Sequence, residues 1–138
     1  MNRQRVAEQL LVDEGLRLKP YRCTAGRLTI GVGRNLEDRG ISEAEALLLL
    51  DNDIADCWDR LAVRQPWVLA APEAVQEALV NMAFNLGVAG LLGFKETLAL
   101  LETEKYTEAA RAMLASKWAR QVGKRAERLA GQVRNAAA

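Results

Sequence analysis

Three residues near the start of the chain carry groups whose types and spacing suit bond hydrolysis. Glu14, Cys23 and Thr29 offer an acid, a thiol and a hydroxyl, separated by eight and five residues. Such a set can supply a proton donor and groups that hold or activate a water. The sequence has no histidine, so the commonest acid–base residue is excluded and proton transfer falls to carboxylates or a thiol. Its two cysteines, Cys23 and Cys57, are too few and too far apart for a disulfide framework or a zinc site. No metal or cofactor is implied.

The elements that must position these residues follow from pattern. Residues 3–14 read as a helix in which Val6, Ala7, Leu10, Leu11 and Glu14 share one side, with Gly15 as its stop. That places Glu14 on the apolar side, at the negative end of the helix dipole. Both conditions disfavour the charged carboxylate, which is what a proton donor at neutral pH requires. Pro20 and the Ala25-Gly26 step then break the helix and set up a hairpin. In RLTIGV, residues 27–32, Leu28, Ile30 and Val32 point to a small apolar layer and Thr29 points the other way. Gly31 and Gly33 clear room for close approach by a backbone or ligand.

The rest of the chain reads as helices. Ser42 and Glu45 form a capping box that opens a helix running to about Val63, with Leu47, Leu50, Ile54, Trp58 and Leu61 as its core stripe. Cys57 reads as a small buried residue of that helix, and Pro66 and Pro72 bracket a loop. Residues 73–86, ended by Gly87, form the most apolar helix and the centre of the core. Helices at about 94–103, at 108–118 capped by Thr107, and at 124–134 beyond Gly123 complete the chain.

The 138 residues make one domain of ordinary size, half apolar and 27% charged, with a net charge of +1. Charge is unevenly spread. From Glu37 to Asp59 there are eight acids (Glu37, Asp38, Glu43, Glu45, Asp51, Asp53, Asp56, Asp59) against Arg39. From Lys117 onward there are six bases (Lys117, Arg120, Lys124, Arg125, Arg128, Arg134) against Glu127. This is either a solvated face or a basic surface that steers toward an anionic polymer. The N-terminus has no apolar run fit for a signal peptide or anchor, which predicts a cytoplasmic location and no stable membrane association.

EGLRLKPY followed by GRLTIGVG strongly resembles the T-even phage lysozymes, glycoside hydrolase family 24. VNMAFNLG, LLGFKETLALL and EAARAMLASKWARQVGKRAERL extend the resemblance over nearly the whole chain. It implies hydrolysis of the β-1,4 bond between N-acetylmuramic acid and N-acetylglucosamine in peptidoglycan. Glu14 falls on the family's general acid and Thr29 on a residue that helps position the attacking water. Cys23 falls where many members have aspartate. Its role stays open between thiolate base, nucleophile and polar spacer, with base or water-positioner ahead because the family is similar to inverting enzymes. Arg34 stands where the family commonly places histidine, and the carboxylate partner of that position aligns with Asp53, so an Arg34–Asp53 ion pair is expected. Arg125 falls on an arginine that pairs with the catalytic glutamate. Asn35, Phe84 and Thr97 align with positions lining the sugar cleft.

The expected fold is mainly α, an α+β lysozyme-like domain over residues 1–138. A small β-hairpin lobe at about 15–41 faces a helical lobe of residues 1–14 and 42–138 across a cleft, and helix 1 packs with the C-terminal helices. The expected protein is a monomeric endolysin. It waits in the host cytoplasm, depends on a holin-like membrane protein to reach the periplasm and wall, and has no nucleic-acid partner. Its rivals are a lytic transglycosylase using Glu14 alone, a catalytically inactive wall-binding module, and a helical DNA-binding regulator. The last would need a recognition helix that the alanine-rich tail does not offer.

Overall fold

A computed structural model describes residues 1–136. Seven α-helices, one 3-10 turn and three short strands follow in the order α1 (Arg3–Glu14), β1 (Arg17–Arg22), β2 (Leu28–Gly31), β3 (Arg34–Asn35), α2 (Glu43–Arg64), the 3-10 turn Pro66–Ala70, α3 (Glu73–Leu92), α4 (Lys95–Glu102), α5 (Tyr106–Leu114), α6 (Lys117–Val122) and α7 (Lys124–Asn135). The chain is therefore mostly helical with a small antiparallel sheet, the α+β lysozyme-like class. It divides into two compact units, Met1–Leu49 and Leu50–Ala138, with the division falling inside α2.

In the first unit α1 has the predicted bounds. Asn2 accepts the Arg5 N–H at its start, and the Gly15 N–H donates to the Leu11 carbonyl at its end. None of its residues is buried, so within this unit the predicted apolar side lies at the surface. The strands form one sheet in the order β1-β2-β3. β1 pairs with β2 through Arg17↔Gly31, Tyr21↔Thr29 and Arg22↔Leu28, with a register shift between Arg17 and Tyr21. Pro20 lies in that irregular stretch of an edge strand, the one place in a sheet that tolerates a residue without an N–H. β2 pairs with β3 through Thr29↔Asn35 and Ile30↔Arg34. The predicted facing of β2 needs correction. Leu28 and Ile30 are only half-buried, while Thr29 is 3% exposed, the one buried residue of this unit. The capping box holds as predicted: the Ser42 N–H donates to Glu45 Oε1 at 2.8 Å and the Glu45 N–H to Ser42 Oγ at 3.1 Å.

The second unit contains the apolar core. On α3, Val75, Ala78, Leu79, Met82 and Ala83 are buried, and on α7 Ala126, Leu129, Ala130 and Val133. Both sets recur every three or four residues, so each helix offers one stripe. α7 packs against α3, α5 and α6, and the alanines at 109, 110, 126 and 130, all buried, let backbones approach closely. α3 is apolar and long enough to span a membrane, but that character belongs to its core stripe. Gly87 interrupts it at φ 77°, ψ 155°, as predicted, and a short helical continuation beyond it buries Leu91. Three expectations change. Leu47 is 55% exposed and Leu50 and Ile54 are also exposed, so only the C-terminal part of the α2 stripe reaches the core, through Leu61 and the half-buried Trp58. The bracketed loop is a 3-10 turn that buries Val68. The helix predicted at 108–118 stops at Leu114, because Ser116 Oγ donates to the Met113 carbonyl and accepts the Ala119 N–H, capping α6 instead.

Candidate functional site

Glu14 ends α1, and its side chain lies on the backbone of Gly33. A Cβ built on Gly33 would stand 3.2 Å from Glu14 Oε2 and 3.3 Å from Cδ. Gly33 also has φ +70°, a region that L side chains avoid. The positive φ is what favours glycine, and the room predicted there is taken by the end of the Glu14 side chain. Glu14 itself is exposed, so the apolar surroundings expected for it are not found.

Cys23 and Thr29 meet at the other end of the same hairpin, through Arg27. The Arg27 carbonyl accepts the Cys23 N–H at 3.0 Å and the Thr29 hydroxyl at 2.8 Å. Backbone hydrogen bonds from Arg27 and then Ala25 hold the Cys23 thiol below its usual range, against a smaller rise from desolvation, and Thr29 adds a side-chain contribution. Thr29 has one proton: placed on the Arg27 carbonyl it makes the 2.8 Å bond, and turned to the sulfur it lowers the thiol; in either position the oxygen keeps lone pairs that can accept. The other cysteine behaves differently. Cys57 is half-buried against the core, and burial pushes its thiol up, helped by Asp56.

Ionic groups hold this hairpin. Glu37 accepts from Arg22 Nη1 at 3.2 Å and Arg27 Nη1 at 3.1 Å, and Arg27 Nε also reaches Asp38 at 3.5 Å. The two arginines flank the Cys23 turn, and Arg22 Nη1 donates to the Gly26 carbonyl as well. Arg34 turns to Glu45, with Nη1 at 2.8 Å from Oε1 and Nη2 at 2.7 Å from Oε2, and donates to the Gly40 carbonyl. This corrects the expected Arg34–Asp53 pair. Glu45 stands at the cap of α2, eight residues before Asp53 in the sequence. Hydrogen bonding from Arg34, then from Ser42, holds the Glu45 carboxyl down to about 2. Asn35 is spent within its turn: Nδ2 donates to Asp38 Oδ2, and Oδ1 accepts the Asp38 N–H.

The remaining predicted residues lie in the second unit and do not share one pocket. Arg125 donates from Nε to Asn81 Oδ1 at 2.9 Å and from Nη2 to the Asn81 carbonyl at 3.0 Å. Phe84, 45% exposed, joins Arg125, Asn81, Ile54 and Trp58 around a groove of about 500 Å³. Phe84 is therefore a groove residue, not a core one. Thr97 is buried and lines a different groove of about 1010 Å³ with Phe94, Lys117 and Trp118. There Trp118 donates to Asn85 Oδ1 at 2.9 Å and meets Phe94 edge-on.

Sequence reading missed Arg27, Glu37, Glu45 and Asn81 as supports of the site. Glu45 was legible only as a capping residue. The others carry no local signal, because a turn carbonyl or an ion pair across a hairpin depends on register. Among the described residues no acid or cysteine cluster could hold a metal ion. The hairpin unit thus has one carboxyl group lying over Gly33 and, separately, the Cys23 backbone N–H and the Thr29 hydroxyl sharing one carbonyl. Those are the parts of water-dependent acid catalysis.

The sequence pattern of the phage lysozyme family matches residues 12–138. Two proteins of Dictyostelium discoideum are similar, probable T4-type lysozyme 1 at 29% identity and probable T4-type lysozyme 2 at 27%. Those matches cover 90% and 88% of this chain, and 90% and 89% of the relatives. The pre-baseplate central spike protein Gp5 of Enterobacteria phage T4 is 30% identical over 90% of this chain, which matches 26% of that longer protein.

Proposed function

Because the chain belongs to the phage lysozyme family, and as a lysozyme is a glycoside hydrolase of peptidoglycan, we propose that Glu14 is its general acid, with Cys23 and Thr29 at the attacking water. Glu14 protonates the oxygen leaving from the β-1,4 bond between N-acetylmuramic acid and N-acetylglucosamine. Water, oriented by the lone pairs of Thr29, attacks the sugar carbon from the opposite face as the bond to the leaving oxygen breaks, and gives its proton to the Cys23 sulfur, which acts as thiolate and becomes thiol. The observation that carries the reading is the Arg27 carbonyl, which takes both the Cys23 N–H and the Thr29 hydroxyl and so fixes the two residues at one point. Cys23 stands in the place of the second carboxylate of two-carboxylate glycosidases. The backbone hydrogen bonds of Arg27 and Ala25 that lower its thiol act in the sense that a thiolate base needs. The enzyme works as a monomer and reaches the wall from the cytoplasm once a holin-like partner opens the membrane.

Mass spectrometry of purified Gram-negative peptidoglycan after incubation tests this. Reducing muramic-acid ends are expected. Anhydro ends would replace the reading with transglycosylation by Glu14 alone, and no soluble product from folded protein would replace it with wall binding.

A further inference from the structure

We infer that Glu45 is a positioning residue for the acid, acting through Arg34 and Gly33 to fix the surface on which the Glu14 side chain rests. The inference rests on the reading of Glu14 as general acid. Its observations are geometric and lie within residues 1–49.

Glu14 packs on bare backbone. Its Oε2, Cδ and Cγ stand 3.2, 3.3 and 3.4 Å from where a Gly33 Cβ would be, so the position of Gly33 bears on where the carboxyl group can lie. The next residue is Arg34, and its side chain is the best-anchored charged group in this unit. Both terminal nitrogens meet both Glu45 oxygens at 2.7 and 2.8 Å, and Nη1 also donates to the Gly40 carbonyl. A two-toothed arginine–carboxylate pair fixes direction as well as distance. Glu45 is itself immobilised, since Oε1 accepts the Ser42 N–H while its own N–H donates to Ser42 Oγ. The constraint therefore runs from the first turn of α2, through a carboxylate and a guanidinium, to the backbone under the acid. On the other side β2–β3 pairing at Ile30↔Arg34 and Thr29↔Asn35 ties the same segment to Thr29. The cap of α2 thereby sets where the proton donor stands relative to the water-holding residues.

A glutamine at 45 can still complete the capping box but cannot form the charged fork. Glu45→Gln thus separates the clasp from the cap. The expected result is a fall in kcat on the order of tenfold with KM unchanged, measured well below the melting temperature, since a small misplacement of a reacting group is sufficient for that loss. Arg34→Gln removes the fork from the other side, leaves the cap intact, and should give the same fall. Gly33→Ala displaces the carboxyl group directly. A double-mutant cycle with Glu45→Gln should be strongly non-additive in kcat, because both changes act on one position. A merely structural clasp would lower the melting temperature, leave kcat alone and add independently to Gly33→Ala; that outcome overturns the inference. The inference and the reading beneath it fail differently. Near-normal activity of Glu14→Gln would remove the acid assignment itself. A dead Glu14→Gln beside fully active Glu45→Gln and Arg34→Gln would remove the clasp alone.

Discussion

Among the described residues all eighteen buried apolar side chains, from Leu61 to Val133, lie in the second unit, while the first buries the single polar side chain of Thr29. Residues 1–49 are held by sheet pairing, two arginine–glutamate clasps and a helix cap. Residues 50–138 are held by helix stripes packed into a common core. The difference has a functional sense. Directional polar contacts define where individual atoms stand, and the chemistry proposed for Glu14, Cys23 and Thr29 needs that. Apolar burial contributes most of the free energy but specifies direction weakly. Substitutions in the two units should therefore separate chemistry from stability.

The largest separation is expected at Glu14. Glu14→Gln should lower kcat by about 10²–10⁴, the usual contribution of general acid–base catalysis. The melting temperature should stay at the native value, because Glu14 is exposed and makes no salt bridge among the described residues. Turbidity loss of a wall suspension and a thermal melt read the two effects. A substantial fall in melting temperature would break the comparison.

Leu129→Ala is the converse. Leu129 is 2% exposed on the α7 stripe, and losing such a side chain costs about 2–5 kcal/mol from transfer and cavity together. For a chain of this size that is a fall in melting temperature of roughly 8–20 °C, read by calorimetry. Activity assayed well below the new midpoint should stay within about twofold, on the view that the core supports the fold and the hairpin does the chemistry.

What the sequence revealed tracks the same division. α7 and the first part of α3 could be placed because burial repeats with the helical period, and Gly87 and Gly123 punctuate where expected. The Ser42–Glu45 cap was legible because its partners are three residues apart. The Arg34 partner was not, since Asp53 and Glu45 share a helix and only the fold distinguishes them. The break at Ser116 was hidden because a serine reads equally well inside a helix or at its cap. The exposure of Leu47, Leu50 and Ile54 was hidden for another reason: periodicity marks a face without saying what covers it. The types of the site residues were legible, but not their supports. The Arg27 carbonyl belongs to every sequence alike and gains its role only when the hairpin register aims it at Cys23 and Thr29.

The two cysteines sharpen the comparison, one in each unit. Hydrogen bonds lower the Cys23 thiol and burial raises the Cys57 thiol. Thiolate is the reactive form, so iodoacetamide at pH 7.5 should modify Cys23 faster than Cys57. Peptide mass mapping over time reads both rates in one sample. Loss of lytic activity should follow the Cys23 curve, and equal rates would contradict the assigned environments.

Acid gives the smallest effect, and its sign follows from the clasps. Arg34 and the Ser42 cap hold the Glu45 carboxyl at about 2, below its ordinary 4.5, while Arg27 and Arg22 hold Glu37 down as well. A carboxyl group lowered on folding stabilises fully above its unfolded value and loses that contribution as pH falls toward the folded one. The clasps should therefore weaken between about pH 4.5 and 2. The apolar stripes of α3 and α7 contain no group that titrates in that window. Hydrogen exchange at matched intrinsic rates should show amides at Arg34 and at the start of α2 losing protection from pH 5 to pH 2.5, while those of Leu79, Met82 and Leu129 keep theirs. Loss of protection in α3 and α7 first would mean that the polar unit is the sturdier one in acid, and that charge is not what holds it.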